Sequence, residues 1–274
     1  MQAAAHTMPA PSFVGRYRIE RTIGHGANAS VYGACNIDDG ARVALKLFHD
    51  GVDAAAPVRV ARESAIARGV HHPNVVRTLE VGRWEGRPWL AMELLDGPTL
   101  LDWLKGLGRP VLIREALRIG RDVAAGLESL HSADIVHRDL GPANIVLAAG
   151  RAHLIDLGSA RRIGERDGGR GLHASPGCLA PERLVRDNTC TPAEDMWSLG
   201  ILLYRMTTGL HPFAASSNAA MMRRVRADQP PSVHDSRPDV PSALSLLIIG
   251  LLSKAPEDRP TVYDAQRVLK RWAV

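Results

Sequence analysis

The sequence predicts an α+β protein of two lobes, a small β-rich one followed by a larger, mainly helical one. Three observations carry this. Between residues 17 and 92, short runs rich in β-branched and aromatic residues are separated by turn signals. After Asp96-Gly97-Pro98, apolar residues recur with a helical period. The chain has 274 residues, 45% hydrophobic and 23% charged, a globular composition at a length that suits one large domain or two lobes.

Each element follows in order. Residues 1–15, rich in alanine, proline and histidine, read as a disordered tail. Segments 17–23, 30–36 and 42–48 read as strands, with glycines 24 and 26 and Asp39-Gly40 as the turns. A helix is expected over roughly 58–68, then strands over 75–81 and 89–92. The break at 94–98 reads as a hinge beside a cleft, the usual place for a ligand. In segment 114–131, Ala116, Leu117, Val123, Ala124, Leu127 and Leu130 fall near a 3.6-residue period. Further helices are expected over 191–207, 219–226, 244–252 and 261–272. The lobes are thus placed at 16–93 and 99–274.

Charge and cysteine content exclude several classes. There are 34 Lys+Arg against 29 Asp+Glu, a net charge of +5, but the basic residues are dispersed, which argues against a nucleic-acid partner. Only Lys46, Lys105, Lys254 and Lys270 are lysines, so each merits attention. Cys35, Cys178 and Cys190 are odd in number and lack CxxC spacing, which speaks against a disulfide framework or a zinc site. The longest strongly apolar stretch, near 244–252, is too short to span a bilayer. The start lacks a basic n-region and an apolar run, so no signal peptide is expected. A soluble cytoplasmic protein in a reducing compartment is the expectation.

Four groups of residues carry chemistry. Gly24-His25-Gly26-Ala27-Asn28-Ala29 lies between two strands. Such glycines let backbone N–H groups approach phosphate oxygens, although alone they make a hairpin turn as readily. In Val43-Ala44-Leu45-Lys46 a lysine interrupts an apolar strand, and if it points inward it needs a counter-charge. Glu63, on the next helix, could supply one. His137-Arg138-Asp139 is followed by Asn144. Four specified residues at fixed offsets have a chance rate of roughly 1 in 160,000 per position, or on the order of 0.002 matches in this chain. Ile155-Asp156-Leu157-Gly158 follows. Asp139 can accept a hydroxyl proton, and Asn144 and Asp156 offer the hard oxygens that magnesium prefers.

In this order, and with Ala180-Pro181-Glu182, Asp195-Met196-Trp197-Ser198-Leu199-Gly200 and Asp258-Arg259-Pro260 beyond, the chain resembles the eukaryotic-type serine/threonine protein kinase family over about residues 16–272. The resemblance implies a bilobal protein-kinase-like fold and ATP and Mg²⁺ as cofactors. It implies transfer of the γ-phosphoryl group to serine or threonine hydroxyls of a protein, the chain itself included. Lys46 would hold the α and β phosphates and pair with Glu63. Asp139 would be the catalytic base, with Asn144 and Asp156 holding magnesium. The nucleotide would lie against Ile23, Gly24, Gly26, Val31, Ala44 and Val146, with adenine bonded to backbone near Glu93 and Leu95 and Met92 as gatekeeper. An Arg259–Glu182 ion pair and an Asp195 that braces the catalytic loop are implied too. The segment 174–182 resembles the serine/threonine pattern, Ser175 standing where threonine is usual.

Three departures stand out. Gly141 replaces the lysine usual two residues after the aspartate, which removes a positive charge at the transferring phosphate; Arg161 or Arg162 could substitute for it. Ala29 replaces the third glycine. Between Asp156 and Glu182 the only hydroxyl residues are Ser159 and Ser175. Arg138, which in the family pairs with a phosphorylated residue of this segment, is expected to pair with Glu165 or Asp167. A nucleotide-binding scaffold with little turnover is the alternative reading.

Overall fold

The computed structural model describes residues 11–26, 28–49, 63, 65–66, 69–166, 176–185 and 188–271. They divide into two compact units. One comprises the described residues of Met1–Arg68 with Arg77–Leu95; the other comprises Gly69–Val76 and those from Asp96 on.

The first unit is a six-stranded antiparallel sheet: β1 (Phe13–Val14), β2 (Tyr17–His25), β3 (Ala29–Asn36), β4 (Arg42–Phe48), β5 (Thr78–Trp84) and β6 (Arg87–Glu93), in the order β1-β2-β3-β4-β6-β5. Alternation along the strands sends Tyr32, Ala34, Val43, Leu45, Leu47, Trp89 and Ala91 to one face, where they form a core with Val14 and Tyr17. Residues 13–14, inside the tail expected over 1–15, instead form a strand, and 1–10 of that expectation lie outside the described residues. Val14 is fully buried, and β1 pairs Phe13 with Arg18. Glu85-Gly86, at φ +49° and +78°, closes the β5–β6 hairpin with two left-handed residues, the turn whose twist matches paired strands. Glu63, Ala65, Ile66 and Gly69 are helical, within or next to the helix expected over 58–68.

The strand expected over 75–81 begins later, at Thr78. Val75 and Val76 instead belong to the second unit: Val75 bridges Leu154, and the Val76 N–H donates to the Leu154 carbonyl at 2.9 Å. Burial of two valines there outweighs their continuity with the β pattern.

The second unit holds α1 (Leu100–Gly106), α2 (Ile113–Ser132), α3 (Ala193–Thr208), α4 (Asn218–Ala227), α5 (Val233–Ser236), α6 (Ser242–Leu251) and α7 (Val262–Arg271). Helix α1, which no sequence signal marked, is capped by Thr99, whose hydroxyl accepts the Asp102 N–H at 3.1 Å. The apolar stripe of α2 is buried as its period requires. A Cβ on Gly126 would sit 2.9 Å from the Asn74 carbonyl oxygen, so a glycine is needed where segment 69–76 crosses α2. Helix α3 is buried nearly all round, the mark of a central helix. Two small antiparallel pairs, β7 (Ile135–Val136) with β10 (Arg161–Arg162) and β8 (Ile145–Ala148) with β9 (Arg151–Leu154), carry the loops of interest. No described helix is long and apolar enough to cross a membrane. The α+β class expected from the sequence is the one found.

Candidate active site

In the β-rich unit, cross-strand pairs share a face, and the register runs Gly24–Val31–Lys46 and Gly33–Ala44–Met92. Gly24, Val31, Ala44, Lys46 and Met92 therefore lie together on the face opposite the Tyr17–Trp89 core. Lys46 is 9% exposed and its Nζ lies 3.2 Å and 3.4 Å from the two carboxylate oxygens of Glu63, itself 2% exposed. The inward lysine thus has the carboxylate that its burial demands. The Lys46 ammonium also stands 5.3 Å from the centre of the Phe48 ring. In the glycine-rich turn, the Gly26 N–H donates to the Ala29 carbonyl at 2.9 Å, while Ile23 is half-exposed at a register shift. Glu93, at the end of β6, accepts the Arg77 N–H at 2.8 Å, and Leu95 is half-buried. A pairing the sequence gave no sign of joins Ser30 Oγ to His25 Nδ1 at 2.8 Å and to His49 Nε2 at 2.9 Å.

In the helical unit, the loop after β7 hangs from the first turn of α3. Asp195 is completely buried. Its Oδ1 accepts the Arg138 N–H at 2.8 Å, its Oδ2 accepts the His137 N–H at 2.8 Å, and His131 Nε2 lies 2.9 Å from Oδ2. Burial alone pushes this carboxyl up; His131, His137 and the Arg138 N–H outweigh it and hold the group below the usual carboxylate range. Arg138 takes φ +68°, sparsely populated for a long side chain. Such strain persists where the surroundings over-determine it, commonly at working sites. Asp156, at φ +62°, is likewise left-handed and accepts the Gly158 N–H at 3.1 Å.

The β8–β9 hairpin brings Asn144 near Asp156. Ile145 faces Leu154, and the Ile155 N–H donates to the Asn144 carbonyl at 3.0 Å, one residue before Asp156. The Asn144 amide donates to the Asp139 carbonyl at 2.8 Å and to Asp139 Oδ2 at 3.1 Å. That use of the amide nitrogen leaves the Asn144 oxygen as the end that can ligate a cation. That amide oxygen and the Asp156 carboxylate are hard oxygen donors of the kind magnesium prefers. Among the described residues no three or more His, Cys, Asp or Glu cluster as a metal site. Val146 is 8% exposed and lies in the same hairpin.

Arg138 and Arg161 bear on two of the sequence expectations. Arg138 pairs with Glu194, Nε to Oε2 at 3.0 Å, and not, among the described residues, with Glu165. Glu165 lies 3.5 Å from Arg161 Nε; Asp167 and Ser175 fall outside the described residues. Arg161 directs Nη1 at the carbonyls of Ser159 and Ala160, at 3.3 and 2.8 Å, and Arg162 beside it in β10 is exposed. Glu194 went unnoticed in the sequence because it precedes a recognisable aspartate without belonging to any motif. Burial pushes its carboxyl up, against the pull of Arg138 and Arg183. Cys178 is buried too, and desolvation pushes its thiol up to about 12, the opposite of a reactive cysteine.

Comparison with known proteins agrees with this reading. The family model described as protein kinase domain matches residues 17–272. The serine/threonine-protein kinase PknJ of Mycobacterium tuberculosis is 35% identical over 272 residues, covering 94% of this chain and 45% of that protein. A probable serine/threonine-protein kinase PknB of Lactococcus lactis is 31% identical, over 91% of this chain and 40% of its own length. The serine/threonine-protein kinase PrkC of Bacillus subtilis is 30% identical, over 93% and 41% respectively. The chain thus spans under half the length of these relatives.

Proposed function

The chain belongs to the protein kinase domain family, and we propose that it is an ATP- and Mg²⁺-dependent serine/threonine protein kinase that phosphorylates protein hydroxyls, its own included. The observation that carries this reading is the Asp139–Asn144 contact, with the hairpin that sets Asn144 one residue pair from Asp156. Phosphoryl transfer asks a protein for positioning and charge neutralisation rather than for a covalent intermediate. In this reading Asp139 orients the substrate hydroxyl and accepts its proton. Asn144, pinned by Asp139, and Asp156 hold the magnesium that neutralises phosphate charge. Lys46, held by Glu63, binds the α and β phosphates. Ile23, Val31, Ala44 and Val146 take the adenine, bonded to backbone near Glu93 and Leu95, while Gly24 and Gly26 offer N–H groups to phosphate. Domain limits of 16–93 and 99–274, joined through 94–98, belong to the same proposal. So does a cytoplasmic setting, supported by three cysteines present as free thiols.

The test is transfer of labelled phosphate from ATP with magnesium, by the chain alone and with a generic basic protein, followed by phosphoamino-acid analysis. Label on serine or threonine is expected, and Asp139→Asn is expected to remove it. Thermal stabilisation by ATP and magnesium without any label would favour a nucleotide-binding scaffold instead.

A further inference from the structure

Glu194 is 1% exposed, in the first turn of α3, directly before the aspartate that holds the catalytic loop. Its Oε2 meets Arg138 Nε at 3.0 Å and lies 3.4 Å from Arg183 Nε. Its Oε1 accepts from Asn188 Nδ2 at 3.0 Å and from the Thr191 N–H at 3.4 Å. Arg183, in the turn Pro181–Leu184, donates through Nη1 to the Arg138 carbonyl. The contacts close a ring: Arg138 side chain to Glu194, Glu194 to Arg183, Arg183 back to the Arg138 main chain. Asp195 grips the same residue by its N–H. Arg138 is therefore fixed at its side chain, its carbonyl and its amide, which holds it at φ +68° immediately before Asp139. Among the described residues, the formal charges of Arg138, Arg183, Glu194 and Asp195 sum to zero, so each buried guanidinium has a carboxylate counter-charge close by.

We propose that Glu194 is a positioning residue for phosphoryl transfer: its carboxylate locks Arg138 and Arg183, and so sets Asp139, without a phosphate on the 157–181 segment. The proposal rests on the kinase reading above. Phosphorylation would bring a charge of about −1.5 to −2 to a cluster in which, among the described residues, a carboxylate already faces each arginine. A fixed carboxylate of the fold does what a removable one could do, and it does so in every copy of the chain.

The full chain, purified after co-expression with a phosphatase, is compared with E194Q, E194D, R183Q and the double variant R183Q/E194Q. Dephosphorylated wild type is expected to keep its kcat within about twofold. E194Q is expected to lose roughly 100-fold in kcat, as a displaced catalytic group does, with the KM for ATP little changed and partial recovery in E194D. R183Q breaks the same ring, so the double variant is expected to lose no more than the worse single one; multiplied losses would overturn the proposal. Hydrogen exchange supplies a readout without activity. In E194Q the amides of 135–141 are expected to exchange roughly tenfold faster, with the rest of α3 as protected as in the wild type. Wild-type kcat together with wild-type protection in E194Q overturns the proposal, and so does a general loss of protection, which marks mere structural support. If E194Q does not fold, the exchange comparison is read on R183Q. A wild type that transfers no phosphate refutes the kinase reading, and the exchange at 135–141 still decides whether Glu194 holds the loop.

Discussion

Arg259 and Glu182, 77 positions apart, meet as a fork on a fork, with Nη1–Oε1 at 2.7 Å and Nη2–Oε2 at 2.8 Å. Arg259 uses all five of its N–H donors. The other three go to the carbonyls of Ser253, Ala193 and Lys254 at 2.8, 2.8 and 3.3 Å, and the guanidinium lies 5.1 Å from the Trp197 ring centre. One side chain therefore ties the turn at Pro181–Leu184 to the start of α3 and to the segment after α6.

Lysine has three donors and no planar fork, so it cannot reproduce this arrangement. Arg259→Lys is expected to be intermediate between wild type and Arg259→Ala. The alanine variant strands Glu182 and three carbonyls. It is expected to cost about 3–5 kcal/mol, as removal of one partner of a buried pair does, and to lower Tm by roughly 10 °C. Calorimetry of the three proteins checks this. A lysine variant as stable as wild type would mean that charge alone matters.

Asp195 sets a pH dependence whose sign can be worked out. Its folded-state value is depressed, below an unfolded value of about 3.9. Its contribution is therefore complete above that unfolded value and is lost as pH falls through the folded one. Asp195→Asn removes the charge and presents an amide to N–H donors, at a cost of about 3 kcal/mol or more at pH 7. The gap in unfolding free energy between wild type and variant is expected to narrow steadily below pH 4. Urea titrations across that range measure it. A gap independent of pH would show that the carboxylate does not titrate with unfolding.

How much of this was legible follows from the kind of signal each residue gives. The Lys46–Glu63 and Arg259–Glu182 pairs were implied by the family resemblance, and the structure forms both; the resemblance put Asp139 and Asn144 in one site but gave no sign of the contact between them. The strands around Lys46 were legible from alternation, which β pairing preserves. The start of β5 was not, because tertiary burial claimed Val75 and Val76 for the other unit. Helix α1 is too short to show a period. Glu194 was illegible because a carboxylate beside a motif looks like any charged first-turn residue until burial and two arginines single it out.

Gly141 offers the sharpest test of the missing charge. Its backbone, at φ −144° and ψ 167°, is extended and suits any residue. A Cβ there would lie 3.4 Å from Cys178 Sγ, a close but tolerable contact. The glycine is thus not required by its own conformation, and Gly141→Ala is expected to fold and turn over like the wild type. Gly141→Lys places a cation at the position this family usually fills. Arg161 donates to the Ala160 carbonyl at 2.8 Å and lies 3.5 Å from Glu165. A charge-stabilising contact is worth about 100- to 1,000-fold in rate when removed. Restoring it is expected to raise kcat, by up to about 100-fold, with the KM for ATP changed little. Steady-state kinetics of the three proteins at saturating ATP decide the matter. A lysine variant no faster than the alanine one would mean that chemistry is not limited by charge at the transferring phosphate, and that the step to look for is the release of product.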